Sequence, residues 1–206
     1  IHAPVTISIT AMGELPQSMG LTRAGARPGD DIWVSGCVGG AWAALMHRWG
    51  KLTLDARVFP SAALAMDRPN PRNALGTALL SSATACADIS DGLAQDLGHI
   101  LERSGVDADV LWDAVPKHPA LAALSQEQQV EAAMSGGDDY ELVFTAPADK
   151  RGLIEQASIS ALTPVTRIGR IIEKKQSGAP LAIRDASGRP LFLPVQGFDH
   201  FAQGAD

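Results

Sequence analysis

The order of strand-like and helix-like segments is the feature that most constrains the fold of this 206-residue chain. Apolar alternation predicts strands at residues 5–12, 31–36, 108–112 and 165–172. Apolar residues recurring every three or four positions predict helices at 41–49, 73–83, 93–104, 126–134 and 150–158. Residues 181–183 and 191–193 flank a turn signal at 185–188, which predicts a hairpin. This order lacks the strict rhythm of a doubly wound sheet and predicts an α+β domain, a layered α/β/α arrangement with a mixed sheet.

The composition and net charge indicate which class of protein this chain belongs to and which kinds of partner it does not bind. The chain has 46% apolar and 19% charged residues and a formal net charge of −6, which is typical of a soluble globular protein. It has no basic stripe, so we expect neither nucleic acid nor a membrane as a partner. Cys37 and Cys86 are too few for a disulfide framework or a zinc site, which predicts a cytoplasmic protein.

The first acidic motif is D-I-S-D-G-L at 88–93. Small residues precede it and helical spacing follows it, so Asp88, Ser90 and Asp91 lie in a turn that opens a helix. Helix N-termini favour phosphate oxygens, and Mg²⁺ prefers carboxylate and phosphate ligands. The motif therefore predicts metal-bridged nucleotide binding. An alternative stays open, in which Ser90 or Asp91 is only the helix N-cap and Asp88 is a solvated acid at a strand end.

The second acidic motif is S-G-G-D-D-Y at 135–140, directly before an alternating strand pattern. By itself it is also explained as a polar turn. Adjacent carboxylates repel each other unless something positive is near, and binding sites gather on loops held by a rigid scaffold. Two acid-bearing turns in one domain therefore favour a site for a metal and phosphate.

Three other features are interpreted as structural. The turn G-C-V-G-G at 36–40 matches neither common phosphate-loop pattern and is predicted to be a plain strand-to-helix connection. The prolines of R-P-N-P-R at 68–72 predict a rigid connector first and a ligand loop second. His99 and His200 are predicted to be surface or packing residues and not general bases.

The motifs and their flanking sequence resemble the C-terminal domain of thiamine-monophosphate kinases. The resemblance is carried by D-I-S-D-G-L at 88–93, D-L-G-H-I at 96–100 and S-G-G-D-D-Y-E-L at 135–142. Matching segments also occur in the same order at 21–30, 68–72 and 197–201. The wider superfamily includes aminoimidazole ribonucleotide synthetase, selenide water dikinase and a hydrogenase-maturation protein, all ATP users. The form S-D-G at 90–92 is typical of the thiamine branch.

The resemblance implies the fold of aminoimidazole ribonucleotide synthetase-like C-terminal domains and the activity of a transferase. ATP would donate its γ-phosphoryl group to thiamine monophosphate, giving thiamine diphosphate, with Mg²⁺ as cofactor. Direct in-line transfer requires no acid–base residue, because phosphoryl transfer depends mainly on positioning and charge neutralisation. A related ATP-dependent synthetase or dikinase, or a non-catalytic nucleotide-binding module, remains as an alternative.

The resemblance also implies roles for individual residues. Matched by motif, the magnesium ligands are Asp88 and Asp91, the ATP contacts are Arg23 and Ser90, and the substrate contacts are Asp138 and Phe198. Asp138 stands where a glutamate is common, and Phe198 where some members have a tyrosine.

Residues 1–206 are expected to form a single C-terminal domain that binds ATP and substrate. The chain begins without methionine and within a strand pattern, so we expect it to be a piece of a longer protein. The family's N-terminal domain carries further acidic loops and the homodimer surface. We therefore expect this chain to fold, to expose an apolar patch and not to catalyse alone.

Overall fold

A six-stranded mixed sheet forms the centre of the computed structural model, which describes residues 6–15 and 20–191. The strands are β1 (Asp31–Ser35), β2 (Ala85–Ile89), β3 (Asp107–Leu111), β4 (Glu141–Ala146), β5 (Val165–Ile172) and β6 (Leu181–Arg184). Their order in the sheet is β2-β4-β1-β5-β3-β6. Neighbouring strands are antiparallel except β3 and β6, which are parallel. The predicted mixed sheet is confirmed.

Helices cover both faces of this sheet. They are α1 (Gly40–Arg48), α2 (Phe59–Asp67), α3 (Asn73–Leu79), α4 (Leu93–Ser104), α5 (Gln126–Val130) and α6 (Arg151–Ser160). One apolar core joins α1, α2, α4 and α5 to one face, and a second core joins α3 and α6 to the other. The predicted α/β/α layering is therefore confirmed.

Alternation along the strands separates the two cores. In β1, the buried Ile32 and Val34 belong to the larger core, whereas Trp33 belongs to the smaller one and stacks on Phe144. Helix α4 buries its apolar stripe in the larger core and ends at Ser104, and the C-cap residue Gly105 has a φ of 67°, which suits a glycine. These assignments follow the sequence pattern closely.

Three predicted elements differ from the structure. Residues 6–12 form no strand, and the side chains of Ile7 and Ile9 are 80% and 88% exposed, because no described strand pairs with this segment. Helix α3 ends at Leu79, earlier than predicted, where a turn begins. The helix predicted over 126–134 changes after Val130 into a π-helical turn at Glu131–Ser135.

The predicted C-terminal hairpin is present in part. A bridge joins Arg184 to Pro190, and the Leu191 N–H donates to the Ile183 carbonyl at 2.9 Å. The rest of its second strand, at 192–193, lies outside the described residues.

Candidate nucleotide and metal site

Strand pairing brings the two acidic motifs together. Strands β2 and β4 are antiparallel neighbours, with Asp88 opposite Leu142 and Ile89 opposite Glu141. Contact continues beyond the strands, because the Tyr140 N–H donates to the Ile89 carbonyl at 2.8 Å. The next bond joins the two motif turns directly: the Asp138 N–H donates to the Ser90 carbonyl at 3.0 Å. The sheet therefore places Ser90 and Asp138 side by side.

Two glycines permit this close approach. A Cβ atom on Gly137 would come within 2.4 Å of the Ser90 carbonyl oxygen, which is too close for any side chain. Gly92 has a φ of 119°, and a Cβ there would lie 2.9 Å from the Met134 carbonyl oxygen. The glycines of both motifs thus serve the contact between the turns.

Helix α4 is not capped by Ser90 or Asp91. Its N-cap is Gly92, which has no side chain to accept a hydrogen bond from the first turn of the helix. Instead Asp96, in the first turn of the helix, accepts the N–H groups of both Ser90 and Asp91 through Oδ2, each at 3.0 Å. Ser90 or Asp91 as the N-cap is therefore wrong, whereas the other part of that alternative, an exposed Asp88 at the end of strand β2, agrees with the structure. Asp96 belongs to the matched segment 96–100, but the sequence did not indicate this contact.

The three candidate carboxylates of the motifs have few partners. Asp88 is exposed and makes no side-chain hydrogen bond within the described residues, while Asp91 is half-buried and lies 3.5 Å from Gln95 Nε2. Asp138 is exposed and accepts the Tyr140 hydroxyl at 3.0 Å. The pKa of Tyr140 is raised first by this bond and further by the nearby charges of Asp88 and Asp91. No Lys or Arg in the described part of the chain forms a salt bridge with these carboxylates.

The backbone of the second motif is strained. Asp138 and Tyr140 have φ angles of 65° and 50°, in a region that non-glycine residues seldom adopt. Strain of this kind persists only where the surrounding structure enforces it, and it clusters at functional sites.

Asp139, between these two strained residues, holds the N-terminus of helix α1. Both of its carboxylate oxygens accept the Gly39 N–H, at 3.0 and 2.9 Å. The Ala41 N–H also donates a hydrogen bond to this carboxylate. Burial is the main cause that raises the pKa of Asp139 to about 8, and Glu141 and Asp138 add to it. Asp139 thus occupies two of the N–H groups at this helix end, which supports the interpretation of the glycine-rich turn as a connection.

A buried ion pair fixes the proline-containing loop. The Arg72 guanidinium donates two hydrogen bonds to Glu141, from Nε at 2.7 Å and from Nη2 at 2.5 Å. Ser35 donates a third to the same carboxylate. The side chains of Arg72 and Glu141 are only 16% and 7% exposed. This arrangement supports the rigid connector.

Arg23 lies along the outer edge of β2. The Cys86 N–H donates to the Thr22 carbonyl at 2.8 Å. Cys86 lies two positions before Asp88 in β2, and Arg23 is the residue directly after Thr22. Two strand positions span about 7 Å. Arg23 is exposed, and its guanidinium makes no hydrogen bond within the described residues. Among the described residues, no side-chain hydrogen bond or salt bridge joins Arg23 to the motif turns, and Phe198 lies outside the described residues.

The two cysteines are half-buried and stay protonated near neutral pH. Burial raises the pKa of Cys37 to about 11 and that of Cys86 to about 12. Neither thiol is thus a ready nucleophile or metal ligand.

A groove of about 350 Å³ lies on another part of the sheet. It is lined by residues of β3, β5 and the turn after β6, including Asp109, Arg167 and Arg170. None of the predicted site residues lines it. The candidate carboxylates, which have no salt-bridge partner among the described residues, lie at the motif turns and not in this groove.

No helix in the described ranges has the length and apolar character needed to cross a bilayer.

Comparison with known proteins agrees with the motifs. A sequence profile of the family described as "AIR synthase related protein, C-terminal domain" matches residues 27–181. The chain belongs to this family. The AIR synthase-related fold was the one implied by the resemblance, and it is confirmed.

Individual relatives are thiamine-monophosphate kinases. The one from Haemophilus influenzae is 39% identical over 203 residues, which cover 97% of this chain and 61% of that protein. The crystal structure of the one from Stenotrophomonas maltophilia superposes with a TM-score of 0.76 and 39% identity, over 86% of this chain and 56% of that chain. AaThiL complexed with AMPPCP and TMP gives a TM-score of 0.69 and 27% identity, over 88% of this chain and 54% of that chain.

These similarities confirm the resemblance to thiamine-monophosphate kinases. This AIR synthase-related chain spans 53–61% of the length of the curated thiamine-monophosphate kinases with which it was compared.

Proposed function

We propose that this chain is the ATP- and substrate-binding domain of a thiamine-monophosphate kinase, which transfers the γ-phosphoryl group of ATP to thiamine monophosphate. One observation carries the proposal: the hydrogen bond from the Asp138 N–H to the Ser90 carbonyl unites the proposed ATP turn and the proposed substrate turn. A related protein that binds AMPPCP and TMP together has the same fold.

The carboxylates at the turns fit a magnesium ion by their chemistry. Asp88 and Asp91 offer hard oxygen ligands and have no cationic partner within the described residues. The described residues contain no group of three or more potential metal ligands. Mg²⁺ commonly uses one or two carboxylates and takes its other ligands from water and substrate phosphates, so two carboxylates suffice. When bound, the ion neutralises charge on the phosphates.

The remaining roles are those implied by motif. The Ser90 hydroxyl and the Arg23 guanidinium contact ATP, and Asp138 with Phe198 contacts the thiamine substrate. The exposed position of Arg23 on the β2 edge leaves its long side chain available to a phosphate. The Tyr140 hydroxyl orients the Asp138 carboxylate through the hydrogen bond between them.

The transfer needs little covalent help from the protein. An oxygen of the thiamine monophosphate phosphate forms the new P–O bond, and the bond between the γ-phosphorus and the bridging oxygen breaks, so ADP leaves with the electron pair. A phosphate oxygen is already ionised near neutral pH, so no side chain has to remove a proton. The residues of the site therefore act by holding the two phosphates in line.

Other parts of the protein complete the site in this proposal. We propose that the full-length protein also has an N-terminal domain, which supplies further acidic ligands and a homodimer surface. We expect this chain alone to bind nucleotide weakly and to show no turnover. Turnover of the isolated chain at the rate of a complete enzyme would contradict this.

The test uses the full-length protein carrying Asp88→Asn together with Asp91→Asn. We expect magnesium-dependent binding of AMPPCP, and ADP release with thiamine monophosphate, to fall by more than about 100-fold, because both proposed ligands lose their charge. Asp149→Asn with Glu155→Gln removes two exposed charges away from the turns and serves as the matched control. Unchanged turnover in the first variant refutes the metal assignment.

Varying the acceptor separates the remaining alternatives. ADP release driven by thiamine monophosphate supports the kinase, whereas release driven only by another acceptor indicates a related synthetase or dikinase. Nucleotide binding without turnover on any acceptor indicates a binding module.

A further inference from the structure

Asp96 is the most completely buried acid near the candidate site. Its side chain is fully excluded from solvent, and its Oδ2 atom accepts the N–H groups of Ser90 and Asp91, each at 3.0 Å. Its other oxygen, Oδ1, has no hydrogen-bond partner. Burial of a carboxylate is unfavourable unless hydrogen bonds compensate for the lost water, and the two N–H groups of Ser90 and Asp91 supply this compensation at Oδ2.

The bonds of Asp96 fix one side of a turn that is held on its other side as well. The Ser90 carbonyl accepts the Asp138 N–H at 3.0 Å, while the Ser90 N–H donates to Asp96. Both polar backbone groups of Ser90 are thus engaged, one by each neighbouring element. Gly92 lies so close to the Met134 carbonyl that a Cβ atom there would be 2.9 Å from its oxygen. The Ser90 and Asp91 side chains therefore project from a backbone with little freedom to move.

We propose that Asp96 is a positioning residue for the nucleotide site: its buried carboxylate fixes the Ser90–Asp91 backbone and thereby the atoms that contact ATP and magnesium. The proposal rests on the proposed function of Ser90 and Asp91. Asp96 acts through these neighbours and touches neither ligand. Residues that orient the ligands of a metal commonly alter metal affinity by about 10- to 100-fold when they are replaced.

The first experiment measures the turn itself by amide hydrogen exchange in the 206-residue chain. Asp96→Ala removes the acceptor, and we expect exchange at Ser90 and Asp91 to accelerate by at least about tenfold, while amides of strand β4 stay protected. Asp96→Asn keeps an acceptor oxygen at the same position and should retain most of the protection. Asp107→Ala is the matched control, because Asp107 is also buried and accepts a backbone N–H, from Lys175 at 2.9 Å, outside the motif turns.

The second experiment measures binding of AMPPCP with Mg²⁺ to the full-length protein by calorimetry. We expect about 10- to 100-fold weaker binding for Asp96→Ala and near wild-type binding for Asp96→Asn and Asp107→Ala. Loss of binding in Asp96→Asn equal to that in Asp88→Asn overturns the proposal, even if the alanine variant does not fold. Unchanged binding in a folded Asp96→Ala, with loss in Asp88→Asn, also overturns it and leaves the proposed function standing. If Asp88→Asn binds normally, the proposed metal site is what fails.

Discussion

Replacement of Arg72 by alanine tests whether the buried ion pair stabilises this domain. The guanidinium supplies two of the three hydrogen bonds that the Glu141 carboxylate accepts, and Ser35 supplies the third. With the side chains only 16% and 7% exposed, water cannot replace the lost donors fully. Arg72→Ala therefore leaves a buried carboxylate with one partner.

The magnitude follows from burial. Removing one partner of a buried ion pair costs about 3–5 kcal/mol, and the partial exposure of Arg72 favours the lower end of that range. A loss of about 3 kcal/mol corresponds to a fall in Tm of roughly 6–12 °C for a chain of this size. Adding Glu141→Gln to Arg72→Ala removes the uncompensated charge and should restore part of the loss.

Urea and thermal unfolding of the 206-residue chain measure the effect, and the chain contains a matched control. Arg48 and Asp67 form a bidentate pair with contacts of 2.8 and 2.5 Å, but their side chains are 41% and 48% exposed. Solvent screens such a pair, so Arg48→Ala should change stability far less than Arg72→Ala. Equal losses in the two variants would refute the argument that burial decides the difference.

Two further predictions concern the turns. Gly137→Ala should destabilise the chain by roughly 1–3 kcal/mol, since the added Cβ would meet the Ser90 carbonyl oxygen. Gly98→Ala places its Cβ in open space within helix α4 and should stabilise the chain by about 0.5–1 kcal/mol. Thermal unfolding compares the two, and a shift of the same sign would contradict the packing. The pKa of Asp139 is raised to about 8 in the folded chain, whereas it is about 4 in the unfolded chain. The folded state therefore binds the proton more tightly, and this contributes its full free energy of folding below about pH 4. That contribution is lost as the pH rises through about 8. Asp139→Asn, which keeps an acceptor for the Gly39 N–H, should gain stability relative to the wild type as the pH rises from about 5 to 9; a difference in urea unfolding that does not vary with pH would exclude this.

Local patterns predicted those parts of the fold that depend on neighbouring residues. The apolar spacing from Leu93 to Leu101 and the glycine at 105 specify helix α4, and alternation gives strand β5 with its observed bounds. Residues 6–12 have an equally clear alternation, but a strand requires a partner, and no described strand pairs with them. The π-helical turn after Val130 is closed by the Gly136 N–H, which donates to the Glu131 carbonyl at 2.9 Å, and Gly136 has no room for a Cβ beside Trp42.

The candidate site was predictable in its residue types but not in its supports. Acids in turns before a helix and a strand pointed to Asp88 and Asp91 and to the pair Asp138 and Asp139, and the resemblance selected Asp138 from that pair. The bond between Asp139 and Gly39 joins residues 100 positions apart, which no local pattern reveals. The contact between Asp96 and Ser90 spans only six positions, but it uses a residue within the helix where capping normally uses one before it.

The pairing of β2 with β4 has a consequence for synthesis of the chain. Ile89 lies opposite Glu141, so the partner of β2 is made about 50 residues later. At a translation rate of about 5–20 residues per second, β2 waits roughly 3–10 s for that partner. During this interval the backbone groups of β2 that later pair with β4 are open to other chains or to a chaperone. The motif turns therefore meet only after most of the chain has been synthesised.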